Sequence, residues 1–269
     1  MFNPTDLNCD ILSLSVRDSV TTAVLEAGQR IMDIYSTDFE VETKVDSSPL
    51  TAADLASNAV LTAALQPYYP VLSEESASVP YNRRKGWSRF WLIDPLDGTK
   101  EFVKRNGEFT VNVALIEDGV PVAGWVYAPV PDLLYWGISG QGAWTVSEAS
   151  KGGESTSLPH SRRSDSIRIV ASRSHMNEET KAYIAGVEEE AGSVELIMAG
   201  SSLKLCMVAE GKADIYPRFG PTMEWDTAAA DAVCRAAGAQ VTRTGDTRPL
   251  EYNKEDLYNP YFIVKGKNV

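Results

Sequence analysis

The chain has 269 residues, 43% of them apolar, and a formal net charge of −12. That length suits one large domain or two that share a core, and the apolar content argues against disorder. The acidic balance disfavours polymeric nucleic acid and anionic membranes as partners, and no apolar run approaches the ~20 residues that span a bilayer.

The first residues, Met1-Phe-Asn-Pro-Thr-Asp6, lack a basic region followed by an apolar stretch, so no secretory signal is expected. Val20, Val24, Ala27, Ile31 and Ile34 recur at helical spacing and predict a long amphipathic helix from Asp10 to Tyr35. A second helix is expected from Thr51 to about Leu65, where Pro67 and Pro70 end it. Val71-Leu72 leads into Ser73-Glu74-Glu75-Ser76, and Arg83-Arg84-Lys85 reads as a solvated basic patch. The apolar run Trp91-Leu-Ile predicts a strand ending on Asp94; Pro95 stiffens the next step, and Gly98-Thr99 opens a helix.

Phe109 to Leu115 alternates like a strand, and Asp118-Gly119 predicts a hairpin into Val122–Tyr127. Leu133–Trp136 and Ala143–Val146 predict another hairpin. Ser147 to Ser166, rich in Ser, Gly and charge, is expected to be a loop at a junction. It divides an α+β half, residues 1–158, from an α/β half, residues 159–269. The second half alternates: strand Ile167–Ala171, helix Glu178–Ala191, strand Ser193–Met198, helix Ser201–Glu210, strand Ala213–Tyr216. An Ala-rich helix after Asp226 follows, then short strands near Val241 and Phe262.

Cys9, Cys206 and Cys234 are widely spaced and form no CxxC pair, so neither zinc nor a disulfide framework is expected. A reducing cytoplasm is the simplest setting. Loose association with the inner face of a membrane stays open, as does the oligomeric state.

Four segments each bring a carboxylate to a strand end or a helix start. Each has a plain structural reading. Asp94 and Asp97 suit a turn, and Asp54 completes a capping pattern with Thr51. Glu74 and Glu75 suit a solvated surface, and Asp226 suits an N-cap. Together they form the supply of hard oxygen ligands that two or three Mg²⁺-type ions require. Such metals activate water and stabilise the leaving oxygen in phosphoryl displacement. Backbone N–H groups at Gly98-Thr99 add a place for the phosphate.

The string Asp94-Pro-Leu-Asp97-Gly98-Thr99, with Glu74-Glu75 upstream and Glu224-Trp225-Asp226-Thr-Ala-Ala downstream, resembles the lithium-sensitive, magnesium-dependent phosphomonoesterase superfamily of inositol monophosphatase and fructose-1,6-bisphosphatase. Lys100-Glu101-Phe102, Lys44-Val-Asp46-Ser-Ser-Pro49-Leu-Thr51-Ala-Ala-Asp54 and Gly200-Ser-Ser-Leu-Lys204 make it most similar to the CysQ-type 3′(2′),5′-bisphosphate nucleotidases.

The resemblance implies a layered αβαβα sandwich of the α/β class and two or three Mg²⁺ ions. It implies that Glu74, Asp94, Asp97, Asp226 and the Leu96 carbonyl hold metal. Asp54 and Thr99 would orient and deprotonate the attacking water, and Gly98 and Thr99 N–H groups would hold the scissile phosphate. The substrate would thus meet Glu74, Leu96, Asp97, Gly98, Thr99 and Asp226. Lys204 and Arg218 are candidates for its second phosphate or ribose. His175 resembles a nucleotide contact of the branch, although a lone His is more often structural.

The implied reaction is hydrolysis of adenosine 3′,5′-bisphosphate to AMP and phosphate within sulfur assimilation, with its sulfated form as a further candidate substrate. An inositol or sugar phosphatase on the same scaffold is the alternative.

Overall fold

A computed structural model describes residues 11–38, 41–43, 49–76, 79–160, 166–173, 176–267 and 269. Helix α1 (Leu14–Tyr35) is capped by the Ser13 hydroxyl, which accepts from Val16 N, so it begins four residues after the expected start at Asp10. Strands β1 (Val41–Thr43) and β2 (Pro49–Thr51) form a two-stranded antiparallel pair leading into α2 (Ala52–Leu65).

A seven-stranded sheet follows. Its strands are β3 (Val71–Ser73), β4 (Arg89–Asp97), β5 (Thr110–Glu117), β6 (Val120–Ala128), β7 (Leu133–Ile138), β8 (Gly142–Ser147) and β9 (Ser155–Ser157), side by side in that order. The β3–β4 pair is parallel and the rest are antiparallel. Short helices α3 (Tyr81–Arg84) and α4 (Thr99–Val103) flank β4. The expected junction loop after Ser147 therefore contains an edge strand, β9, and its residues 161–165 lie outside the described ones.

The second sheet has five strands, β10 (Ile167–Ser172), β11 (Val194–Ala199), β12 (Ile215–Arg218), β13 (Gln240–Arg243) and β14 (Phe262–Lys265), in the order β11-β10-β12-β14-β13. Helices α5 (Glu178–Ala191), α6 (Leu203–Glu210) and α7 (Glu224–Ala236) complete it.

Alternation along β4 sorts its side chains between two cores. Trp91 and Ile93 join Val24, Ile31, Leu61 and Leu65 of α1 and α2. Phe90 and Leu92 join Ala229, Val233 and Leu205 of α7 and α6, together with Val170 and Val264 of the second sheet. Burial on both faces explains why β4 reads as an almost unbroken apolar run. The layers are α1/α2, the seven-stranded sheet, α6/α7, the five-stranded sheet and α5: an αβαβα sandwich.

The Ala-rich composition of α7 has a packing cause. A Cβ on Gly124 would lie 2.1 Å from the Ala229 carbonyl oxygen, so helix and sheet touch backbone to backbone. No described helix is long and apolar enough to cross a membrane.

Candidate active site

The site begins with a register break. The β4–β5 pairing shifts between Asp94 and Asp97, so the strand continues to Asp97 through a bulge and does not stop at Asp94 as expected. Bulges re-aim side chains beside functional sites. Here the bulge turns Leu96 into the α1/α2 core while Asp94 stays on the face shared by Phe90 and Leu92. Asp94 Oδ1 accepts from Leu96 N at 3.1 Å, and Ser57 of α2 donates to the Pro95 carbonyl at 2.7 Å. Gly98 then takes φ +92°, a left-handed conformation that glycine adopts freely.

Asp54 and Ser57 lie one turn apart on the buried stripe of α2 with Ala53, Leu61 and Leu65. Asp54 bonds in two directions. Its Oδ2 accepts from Thr51 N at 2.8 Å and from Thr51 Oγ1 at 2.7 Å, closing the capping box. Its Oδ1 lies 3.5 Å from Thr99 Oγ1.

Asp226 departs from its expected place. Helix α7 starts at Glu224, so Asp226 is not the N-cap but stands in the first turn, where its Oδ2 accepts from Met223 N at 2.9 Å. Glu224 is wholly buried and accepts from Asn253 N at 2.6 Å, Lys254 N at 3.0 Å and Lys254 Nζ at 2.5 Å. It pins the C-terminal loop to the helix start.

One cavity of about 280 Å³ collects these elements. Glu74, Asp94, Leu96, Asp97, Gly98, Thr99, Lys204, Arg218 and Asp226 all line it. The structure thus brings together the metal and substrate residues expected from the sequence, His175 apart, with Asp54 bonded to Thr99. Lys100, Glu101, Ser172 and Tyr216 line it as well. His175 lies outside the described residues, as do Lys44 to Ser48. Arg83 and Lys85 are exposed, as a solvated patch requires, but Arg84 is not. It is 2% exposed, and its guanidinium donates to Asn253 Oδ1 and to the Lys254 and Glu255 carbonyls.

The electrostatics are those of a site with too many carboxylates. Burial raises Asp94 well above the usual carboxylate range, and Glu74, Asp97 and Asp226 push it further. Burial lifts Asp97 to about 6 against the opposing pull of Lys204 and the Ser202 N–H. Asp226 rises to about 8 through burial and repulsion from Asp97. In the same cavity, burial lowers Lys204 to about 8 despite the opposing pull of Asp97, and its ammonium donates to the Ser201 carbonyl at 2.5 Å. Arg218 donates to the Pro221 carbonyl at 2.9 Å, while its buried Nε has no partner among the described residues.

The donors are hard oxygens throughout, which suits Mg²⁺ and not a soft metal. Among the described residues no three acidic, His or Cys side chains are drawn into a cage for one ion. Mg²⁺ keeps several waters and takes one or two carboxylates plus substrate phosphate.

A layered sandwich with a carboxylate-walled cavity at a strand bulge defines a metal-assisted phosphoesterase scaffold. The inositol monophosphatase family model matches residues 14–265, and the chain belongs to that family. The 3′(2′),5′-bisphosphate nucleotidase CysQ of Escherichia coli is 45% identical over 259 residues, covering 92% of this chain and 98% of that one. The crystal structure of CysQ from Bacteroides thetaiotaomicron matches with a TM-score of 0.87 at 46% identity, over 96% of this chain and 99% of that one. An IMPase/NADP phosphatase complexed with Mg²⁺ and phosphate shares the fold, with a TM-score of 0.73 at 20% identity over 94% and 92% of the two chains.

Proposed function

We propose that the chain is a Mg²⁺-dependent 3′(2′),5′-bisphosphate nucleotidase that hydrolyses adenosine 3′,5′-bisphosphate to AMP and phosphate. The observation that carries this reading is the polarity of one cavity. Its lining carries the carboxylates Glu74, Asp94, Asp97 and Asp226 together with the cations Lys204 and Arg218. A substrate with one phosphate to be cut and a second to be held fits that mixture of charges. Similarity to the CysQ nucleotidases over nearly the whole chain supports the same reading.

Glu74, Asp94, Asp97, Asp226 and the Leu96 carbonyl would hold two or three Mg²⁺ ions. Bound there, the metal supplies Lewis acidity toward water and phosphoryl oxygens and neutralises the carboxylates. The chain's own groups do the rest. Gly98 and Thr99 N–H groups hold the scissile phosphate at the start of α4. The Thr99 hydroxyl orients the attacking water and takes its proton as it passes its own to Asp54. Thr99 Oγ1 carries one hydrogen and stands within reach of two acceptors, Asp54 Oδ1 at 3.5 Å and the Leu96 carbonyl at 3.3 Å. Lys204 and Arg218 hold the 5′-phosphate and ribose. No covalent phosphoenzyme is invoked. Both halves, residues 1–158 and 159–269, contribute walls, and we infer a cytoplasmic setting from the free, buried Cys206 and Cys234.

The experiment is product identification. Adenosine 3′,5′-bisphosphate incubated with protein and Mg²⁺ should yield 5′-AMP and one phosphate, with no reaction in chelator. Adenosine 3′-monophosphate as the product, or turnover in chelator, would refute the reading.

A further inference from the structure

Asp97 is held from both halves of the molecule by a ring of buried polar groups. Its Oδ2 accepts from Ser202 N at 2.5 Å and from Asn112 Nδ2 at 3.5 Å. The Ser202 hydroxyl donates to Asn112 Oδ1 at 2.9 Å. Thr110 Oγ1 lies 2.8 Å from Ser202 Oγ. Because the Ser202 hydrogen is already given to Asn112, Thr110 must be the donor in that contact. Every donor then points along one path, from Thr110 to Ser202 to Asn112 to Asp97.

Thr110, Asn112 and Ser202 are at most 2% exposed. Thr110 and Asn112 occupy a strand otherwise filled by Val111, Val113 and Leu115. A buried polar group costs stability unless it is fully bonded, so the strand carries these two against its own packing preference. Both of these bonds to Asp97 fall on Oδ2, and Asp97 lines the cavity. Ser202 is also the residue just before α6, the helix that carries Lys204.

We propose that Asn112, Ser202 and Thr110 are positioning residues that couple the anion held at Lys204 to the metal-facing geometry of Asp97. An anion that draws the start of α6 toward it also sets Ser202, and Ser202 sets the Asp97 carboxylate through its N–H and through Asn112. The second phosphate thereby accelerates turnover as well as binding. The inference rests on the nucleotidase reading for the identity of that anion, while its Asp97 half does not.

The test uses Asn112→Val, the isosteric Thr110→Val, and Thr110→Ser as the variant that keeps the hydroxyl. Each is first checked for a cooperative melt, and Thr110→Val and Thr110→Ser remain informative if Asn112→Val does not fold. Mg²⁺ titration calorimetry on metal-free protein should show about tenfold or greater weakening in the two Val variants, the scale for lost outer partners of metal ligands, with Thr110→Ser near wild type. Adenosine 3′,5′-bisphosphate and adenosine 3′-monophosphate are then compared in kcat and KM separately. The 5′-phosphate should raise kcat in wild type and lose most of that effect in the Val variants, with its effect on KM largely kept. Unchanged Mg²⁺ affinity would overturn the proposal, and so would an equal fall in kcat on both substrates. If wild type cleaves neither nucleotide, the nucleotidase reading fails, and the Mg²⁺ titration alone decides whether the ring positions Asp97.

Discussion

The Thr99 hydroxyl stands 3.5 Å from Asp54 Oδ1, across 45 positions of sequence. The other oxygen of Asp54 is committed to Thr51, so the carboxylate that caps α2 also faces the cavity through Thr99. Capping and the proposed proton acceptance would thus use different oxygens of one side chain. Asp54→Asn should lower kcat by about 10²–10⁴, the range for losing a general base, and Thr99→Val should do the same. The melting temperature of Thr99→Val should stay near wild type. Steady-state phosphate release beside a thermal melt checks both, and kcat near wild type in Thr99→Val would remove Thr99 from the proton path.

Asp97→Asn keeps the size of the side chain and an acceptor oxygen for Ser202 N. It removes one charge from a wall that already repels itself. The variant should therefore melt at or above the wild-type temperature in chelator and lose most activity in Mg²⁺. Near-normal turnover would show that Asp97 is not a ligand.

Stability in chelator should fall as pH rises. Asp97 and Asp226 are raised to about 6 and about 8 in the folded protein, against about 3.9 for an unfolded aspartate. The native state binds more protons than the unfolded one between those values, so stability is lost from about pH 4 up through pH 8. Mg²⁺ replaces those protons. Its stabilising effect should grow from pH 6 to pH 8.5, toward about 2.7 kcal/mol when it is present at a hundred times its Kd. Differential scanning fluorimetry with and without Mg²⁺ reads this, and a shift that shrinks with pH would contradict it.

Among the described residues, Lys254 supplies the one cationic side chain bonded to the buried Glu224. Lys254→Met should destabilise the fold by about 1.5–3 kcal/mol, the scale of a hydrogen bond to a charged group. Because Glu224 sits two residues before Asp226, activity in saturating Mg²⁺ should fall as well. Urea melts and Mg²⁺ titration of activity separate the two effects. A change in neither would show that the clasp carries no load.

The DPLDGT string was legible because its chemistry is local: a strand, two carboxylates and a glycine that takes φ +92°. The alternation of β5 to β8 and the boundaries of α5 were legible for the same reason. Three features were not. The bulge hides in the sequence, because a proline after Asp94 marks the end of a strand as readily as a kink within one. Asp226 has the chemistry of an N-cap, but the chain enters α7 two residues earlier through the loop bonds of Glu224. Arg84 reads as solvated beside Arg83 and Lys85, since its acceptors at Asn253, Lys254 and Glu255 lie about 170 positions away. The Thr110–Ser202–Asn112 ring had one faint signal, two polar residues alternating with valines in a strand, and needed the fold to connect it to Asp97.

Lithium should inhibit in the millimolar range, as for the family that the motifs resemble. Phosphate release at fixed Mg²⁺ with added LiCl, against a KCl control, reads it. Insensitivity would set this site apart from that pattern.

The central claim is that this cavity, lined by carboxylates together with Lys204 and Arg218, is built for a nucleotide bisphosphate. The direct measurement is kcat/KM for adenosine 3′,5′-bisphosphate beside inositol 1-phosphate in Mg²⁺. A clear preference for the nucleotide, lost mainly in KM when Arg218 becomes Ala, is the predicted result. Equal or faster cleavage of inositol 1-phosphate would contradict it.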